Sequence, residues 1–138
     1  MHEFGEILAG IRLAPTTARC GMYSYMLRDA QKGMLESIPA SVLFIEAPVN
    51  SRIWEASRVF VSNEVPAHRR LAVQAALVER LTQTARDHGA THVIGIVPSI
   101  WSRWLRRLNL SAVPVGPKFV IDDTNNQAIL FTAAKYVN

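Results

Sequence analysis

Residues 54–58 read Trp-Glu-Ala-Ser-Arg and gather a carboxylate, a hydroxyl and a guanidinium in one short stretch. The neighbours Ile53, Val59, Phe60 and Val61 are apolar, so the stretch is expected to be buried. A charge inside a buried strand is costly unless it is paired or functional. A carboxylate shielded from water has a raised pKa and can act as a general base toward an amine. An arginine beside it can bind a carboxylate or steady a developing oxyanion. Strand alternation sends Glu55 and Arg58 to opposite faces, so the two reach one pocket only where the strand carries a bulge or a sharp twist. The bland alternative is a structural ion pair of Glu55 with Arg12 or Arg52.

The elements around this stretch follow from periodicity. Residues 52–62 are rich in β-branched and aromatic side chains and read as a strand. Pro66 suits a first helical turn, and Leu71, Ala75, Val78, Leu81 and Ala85 recur at helical spacing until Gly89, which predicts a helix over 66–88. The β-branched run 91–97 then completes a β-α-β unit. Upstream, residues 6–13 predict a strand and Ser24–Leu35 a short helix. Downstream, a helix over Ser99–Leu108 carries Trp101 and Trp104 in its apolar stripe. Short strands follow at Val113–Val115 and Phe119–Asp122, then a turn at Asp123–Asn126 and a strand over Ala128–Ala133.

The 138 residues, 49% hydrophobic and 19% charged, suffice for one domain over 1–138 and exclude wholesale disorder. No apolar run is long enough for a membrane span, and residues 1–11 lack the pattern of a secretory signal. Cys20 is the single cysteine, which suggests a reducing, cytoplasmic setting. His2, His68, His88 and His92 are scattered, so no metal site is expected. Gly-x-Gly-x-x-Gly and the P-loop are both absent, and nothing points to nucleic acid. The net charge of +4 comes from twelve Arg and three Lys against eleven acidic residues. Residues 52–107 hold nine of those arginines, a surface suited to an anionic partner.

Five blocks carry a resemblance: Ile11-Arg12-Leu13-Ala14-Pro15-Thr16-Thr17, Tyr25-Met26-Leu27-Arg28-Asp29, Ile53 through Val61, Leu105-Arg106-Arg107-Leu108, and Pro114-Val115-Gly116-Pro117. In order and approximate spacing they resemble the acyl-homoserine-lactone (autoinducer) synthases. The resemblance implies an α/β, GNAT-like acyltransferase fold, with a central mixed, mostly antiparallel sheet flanked by helices. The implied reaction transfers an acyl group from acyl carrier protein, or acyl-CoA, to the amine of S-adenosylmethionine, and lactonisation then releases methylthioadenosine and a quorum-sensing signal. No tightly bound cofactor is implied.

By the same resemblance Glu55 matches the general base, Arg58 and Arg12 two substrate-binding strand arginines, and Ser57 a position near the reacting centre. Trp54 matches a residue packed beside it. Val59, Phe60 and Val61 correspond to the strand backbone that pairs with a pantetheine arm, with His68, Arg69 and Arg70 at the helix terminus that receives phosphates. Trp101 and Trp104 lie where the family lines its acyl pocket. Arg69, Arg70, Arg103, Arg106 and Arg107 are expected to dock acyl carrier protein through contacts that weaken with salt. Eleven residues precede Arg12, so the family's long N-terminal segment, with the arginine, aromatic and acidic residues of its S-adenosylmethionine site, is expected to be missing. An edge left open by that loss would favour a homodimer. Loop Ala40–Asn50, and Asn109 in place of glycine, also depart from the family. The alternatives are a GNAT-like acyltransferase acting on another amine and an inactive binding module.

Overall fold

The computed structural model describes residues 2–3, 6–7, 9–62, 64–99, 101, 105–106, 111–121 and 123–133; the side chains of 2, 3, 6, 7 and 58–60 are outside that description. Two short strands, β1 (His2–Glu3) and β2 (Glu6–Ile7), pair with each other. The main sheet contains β3 (Ala9–Pro15), β4 (Ile53–Val61), β5 (His92–Pro98), β6 (Val113–Pro114), β7 (Phe119–Ile121) and β8 (Thr124–Thr132). Its order is β3-β4-β5-β8-β6, with β7 also on β8. Among the described residues only β4 and β5 run parallel, because α2 (Ala67–Asp87) crosses between them. The sheet is therefore mixed and mostly antiparallel, as the resemblance implies.

Each face of the sheet has its own core. One packs Ala56, Val93, Val97, Ile129 and Phe131 against Val78, Leu81 and Ala85 of α2 and against Trp101 and Leu105. The other packs Ile94 and Ala128 against Leu27 and Ala30 of α1 (Met26–Gln31) and against Ile38, Val42 and Leu43 of the following loop. Loop 38–50 is held by side chains: the Tyr25 hydroxyl donates to the Pro48 carbonyl at 2.6 Å, and Gln31 bonds both Ile45 and Ala47.

Several boundaries differ from the sequence reading. The strand expected over 6–13 is divided: Glu6–Ile7 belong to β2 in the small sheet, and β3 starts at Ala9 and ends at Pro15, where proline is tolerated because β3 lies at the edge of the main sheet. The helix expected over Ser24–Leu35 is only α1, since Gly33 turns the chain at φ 77. The turn expected at Asp123–Asn126 contracts to Asp123, at φ 63, and β8 begins at Thr124. The buried face of α2 runs through Val73, Leu77, Val78, Leu81 and Ala85, leaving Leu71 59% exposed. Trp101, Leu105 and Arg106 are helical as expected, and the rest of Ser99–Leu108 beyond Ser99 lies outside the described residues.

Candidate active site

Glu55 stands in the middle of the sheet, paired with Ala14 of β3 on one side and Ile94 of β5 on the other, and is only 4% exposed. Alternation separates it from Trp54 and Ala56, which face α2, and turns it toward α1. Its Oε1 accepts the Met26 N–H at 3.0 Å and its Oε2 the Leu27 N–H at 2.9 Å. These are the first residues of α1, whose N-cap Tyr25 supplies no side-chain cap, so Glu55 satisfies donors that the helix leaves open.

Burial pushes the Glu55 carboxyl above the ordinary 4.5. The Leu27 and Met26 N–H groups and the Arg12 charge pull against that shift, and Asp29 adds to it. Both oxygens keep a further lone pair beyond these bonds, so the capped carboxylate can still accept a proton. Thus the partners of Glu55 are backbone donors and not the ion pair with Arg12 or Arg52 that the bland reading expects. Arg12 is exposed on β3 opposite Ser57, and its charge acts on Glu55 from there.

Ser57 is buried, 7% exposed, two residues beyond Glu55 on the strand. Between the pairs Gly10↔Phe60 and Arg12↔Ser57 the register shifts, so Ile11 alone faces Arg58 and Val59. The extra residue of this bulge lies on β4, between Ser57 and Phe60. The side chains of Arg58, Val59 and Phe60 lie outside the described residues. Val61 is half-buried against Ala9, Val73 and Leu77.

The parallel ladder between β4 and β5 runs from Ile53↔His92 to Ala56↔Gly95, whereas the strands continue to Val61 and Pro98. The two strands separate just past Ala56, the residue after Glu55. At the last pair a Cβ on Gly95 would lie 2.6 Å from the Ala56 carbonyl oxygen, a close approach that only glycine allows. Past it, no β4 residue pairs with β5 among the described residues.

The other expected residues are dispersed. The Trp54 ring tilts against His88 with centroids 5.3 Å apart, and its Nε1 donates to the Ser51 carbonyl at 3.1 Å, so it is not brought to Glu55. Trp101 is buried in the α2-side core. His68, Arg69 and Arg70 open α2, whose first turn has neither a side-chain cap nor an acidic residue. Arg70 is tied to the Ser62 carbonyl at 3.0 Å. Arg106 is exposed; Arg103, Trp104 and Arg107 lie outside the described residues. A groove of 240 Å³ lined by Gly10, Ile11, Leu13, Leu77, Arg80, Leu81 and Thr84 lies between β3 and α2, away from Glu55.

Asp29, buried at 4% exposure in the first turn of α1, has no role in the sequence reading although its block belongs to the resemblance. Tyr25 is likewise missed; burial, reinforced by the Glu55 charge, holds its hydroxyl protonated well above the usual tyrosine range. Among the described residues no group of His, Cys, Asp and Glu forms a metal site, and no helix is long and apolar enough to cross a membrane.

No protein-family model matches the chain, and no curated protein matches it in sequence. Solved structures match its fold. The acyl-homoserine-lactone synthase LasI superposes with a TM-score of 0.77 at 18% identity, covering 96% of this chain and 62% of LasI. TofI, solved with an inhibitor and methylthioadenosine (MTA), gives 0.71 at 24% identity over 94% of this chain and 59% of TofI. BjaI, a CoA-dependent acyl-homoserine-lactone synthase solved with S-adenosylmethionine (SAM) and isopentyl-CoA, gives 0.67 at 22% identity over 97% and 56%. The chain therefore shares the fold of these acyl-homoserine-lactone synthases. It spans less than two thirds of the length of each of these three proteins.

Proposed function

We propose that this chain is an acyltransferase of the acyl-homoserine-lactone synthase kind, moving an acyl group from the thioester of acyl carrier protein, or of CoA, to the amine of S-adenosylmethionine. The observation that carries the reading is the buried Glu55 carboxylate, held by two backbone donors beside the point where β4 and β5 diverge. In this reading the raised pKa matches Glu55 to proton transfer from an ammonium group. Glu55 takes the proton, the amine nitrogen bonds to the thioester carbonyl carbon, and the carbon–sulfur bond breaks to release the thiol. The substrate carboxylate then closes the lactone by displacing methylthioadenosine. Ser57 and Arg58 serve the reacting centre and Arg12 the substrate carboxylate.

The end of the β4–β5 ladder at Gly95 suits a thioester arm added along the β4 backbone of residues 59–61. The N-terminal turn of α2, with Arg69 and Arg70, suits its phosphate. Arg106 adds to the positive surface for a carrier protein in a cytoplasmic setting. Among the described residues β3 lies at the edge of the sheet, which supports a homodimer that light scattering tests.

A second reading, a binding module in which Glu55 serves only as a cap, is favoured by the two N–H bonds its carboxylate already accepts. Incubation with acyl-CoA or acyl carrier protein thioesters and S-adenosylmethionine separates the readings. The proposed function yields free thiol, methylthioadenosine and an acyl-homoserine lactone together. Thiol release that ignores S-adenosylmethionine and follows another amine indicates a different acceptor. Absence of thiol release with every donor favours the binding module.

A further inference from the structure

The first turn of α1 contains a second buried carboxylate that the reaction above does not use. Asp29 is 4% exposed. Its Oδ1 accepts the Ser24 hydroxyl at 2.6 Å and the Ser24 N–H at 2.9 Å, and its Oδ2 accepts the same N–H at 3.1 Å. The Asp29 N–H in turn donates to the Tyr25 carbonyl at 3.0 Å. Asp29 thereby clamps the residues that lead into α1, and the next two residues, Met26 and Leu27, donate to Glu55.

We infer that Asp29 is a positioning residue for Glu55: by fixing Ser24 it fixes the direction of the Met26 and Leu27 N–H groups, and through them the lone pairs that Glu55 presents to the acceptor amine. The inference rests on the general-base reading of Glu55. Its geometry is that of a carboxylate oriented by donors that are themselves held by a second buried group. Charge acts along the same line. Asp29 favours the protonated form of Glu55, while Arg12 from β3 and the two N–H groups favour the ionised form. Tyr25, held neutral by burial, is also in electrostatic contact with Glu55.

The test uses Asp29→Asn, which keeps the shape and an acceptor oxygen but removes the charge, together with Asp29→Ala and Ser24→Ala, which loosen the clamp. Two quantities are followed: the Glu55 titration, by carbon-13 NMR of labelled glutamate with Glu55→Gln assigning the signal, and thioester turnover against pH. Asp29→Asn is expected to move the Glu55 titration and the acid limb of turnover together to lower pH. Asp29→Ala is expected to lower kcat roughly tenfold or more, with KM for the thioester within about twofold. If circular dichroism shows that Asp29→Ala does not fold, Asp29→Asn and Ser24→Ala carry the test. A Glu55 titration in Asp29→Asn that superimposes on the parent, with parental kcat in Ser24→Ala, overturns the inference alone when turnover still depends on Glu55. Parental turnover in Glu55→Gln overturns the general-base reading and the inference with it.

Discussion

The Glu55 carboxylate accepts the Leu27 backbone N–H at 2.9 Å, joining the middle of the sheet to the first turn of α1 across 28 positions of the chain. The same oxygens that would take a proton from an amine therefore hold a helix in place. Desolvation and capping act on this group in opposite directions, and desolvation wins. The carboxylate is left both fixed in direction and more basic than an exposed glutamate, the two properties that a general base requires.

The raised Glu55 pKa makes stability depend on pH. A carboxyl that holds its proton more tightly in the folded chain than in the unfolded chain stabilises the fold while protonated. That contribution is complete below the ordinary 4.5 and is lost as pH rises through the higher folded value. Urea unfolding of the parent and of Glu55→Gln at stepped pH isolates the effect from other carboxylates. The stability of the parent relative to the variant should be highest below pH 4.5 and fall above it. A relative stability that rises with pH contradicts the burial argument.

Gly95→Ala should pry β4 from β5. Its Cβ would meet the Ala56 carbonyl oxygen at 2.6 Å, and both partners are backbone held in the ladder. A cost of about 1–3 kcal/mol is expected from such overpacking, read as a lower urea midpoint at constant slope. An unchanged midpoint would show that the strands yield freely where they diverge.

Thr16 ties the end of β3 to the approach of β4. Its hydroxyl donates to the Asn50 carbonyl at 2.8 Å and accepts the Asn50 N–H at 2.9 Å, at 0% exposure. Thr16→Val keeps the shape and strands both Asn50 groups, so a loss of about 1–3 kcal/mol is expected. Thr16→Ser should retain most of the stability. Equal unfolding curves for the valine and serine variants would contradict the bond's role.

Much of the frame was legible because it is written in local pattern. The β-branched run at 52–62, the helical spacing after Pro66 and the apolar run at 91–97 give β4, α2 and β5 within a residue or two. The condition that Glu55 and Arg58 need a bulge also follows from period two alone; β4 does carry one, between Ser57 and Phe60, while the Arg58 side chain lies outside the described residues. What sequence order hides is long-range pairing. No local signal says that Met26 and Leu27 will donate to a carboxylate on β4, or that Asp29 will stand behind them. Trp54 shows the converse: it neighbours Glu55 in sequence and matches the same motif, yet strand alternation sends it to the α2 face against His88.

The most direct test of the account is thioester turnover by Glu55→Gln, with acyl-CoA or acyl carrier protein as donor and S-adenosylmethionine as acceptor. The substitution preserves size and one acceptor oxygen, removes the basic carboxylate and turns an amide NH2 toward one of the two α1 N–H groups, so circular dichroism first confirms that the variant is folded. A general base in this position predicts a fall in kcat of at least about a hundredfold. Turnover at the parental rate by the folded variant would contradict it and leave Glu55 as the cap of α1 alone.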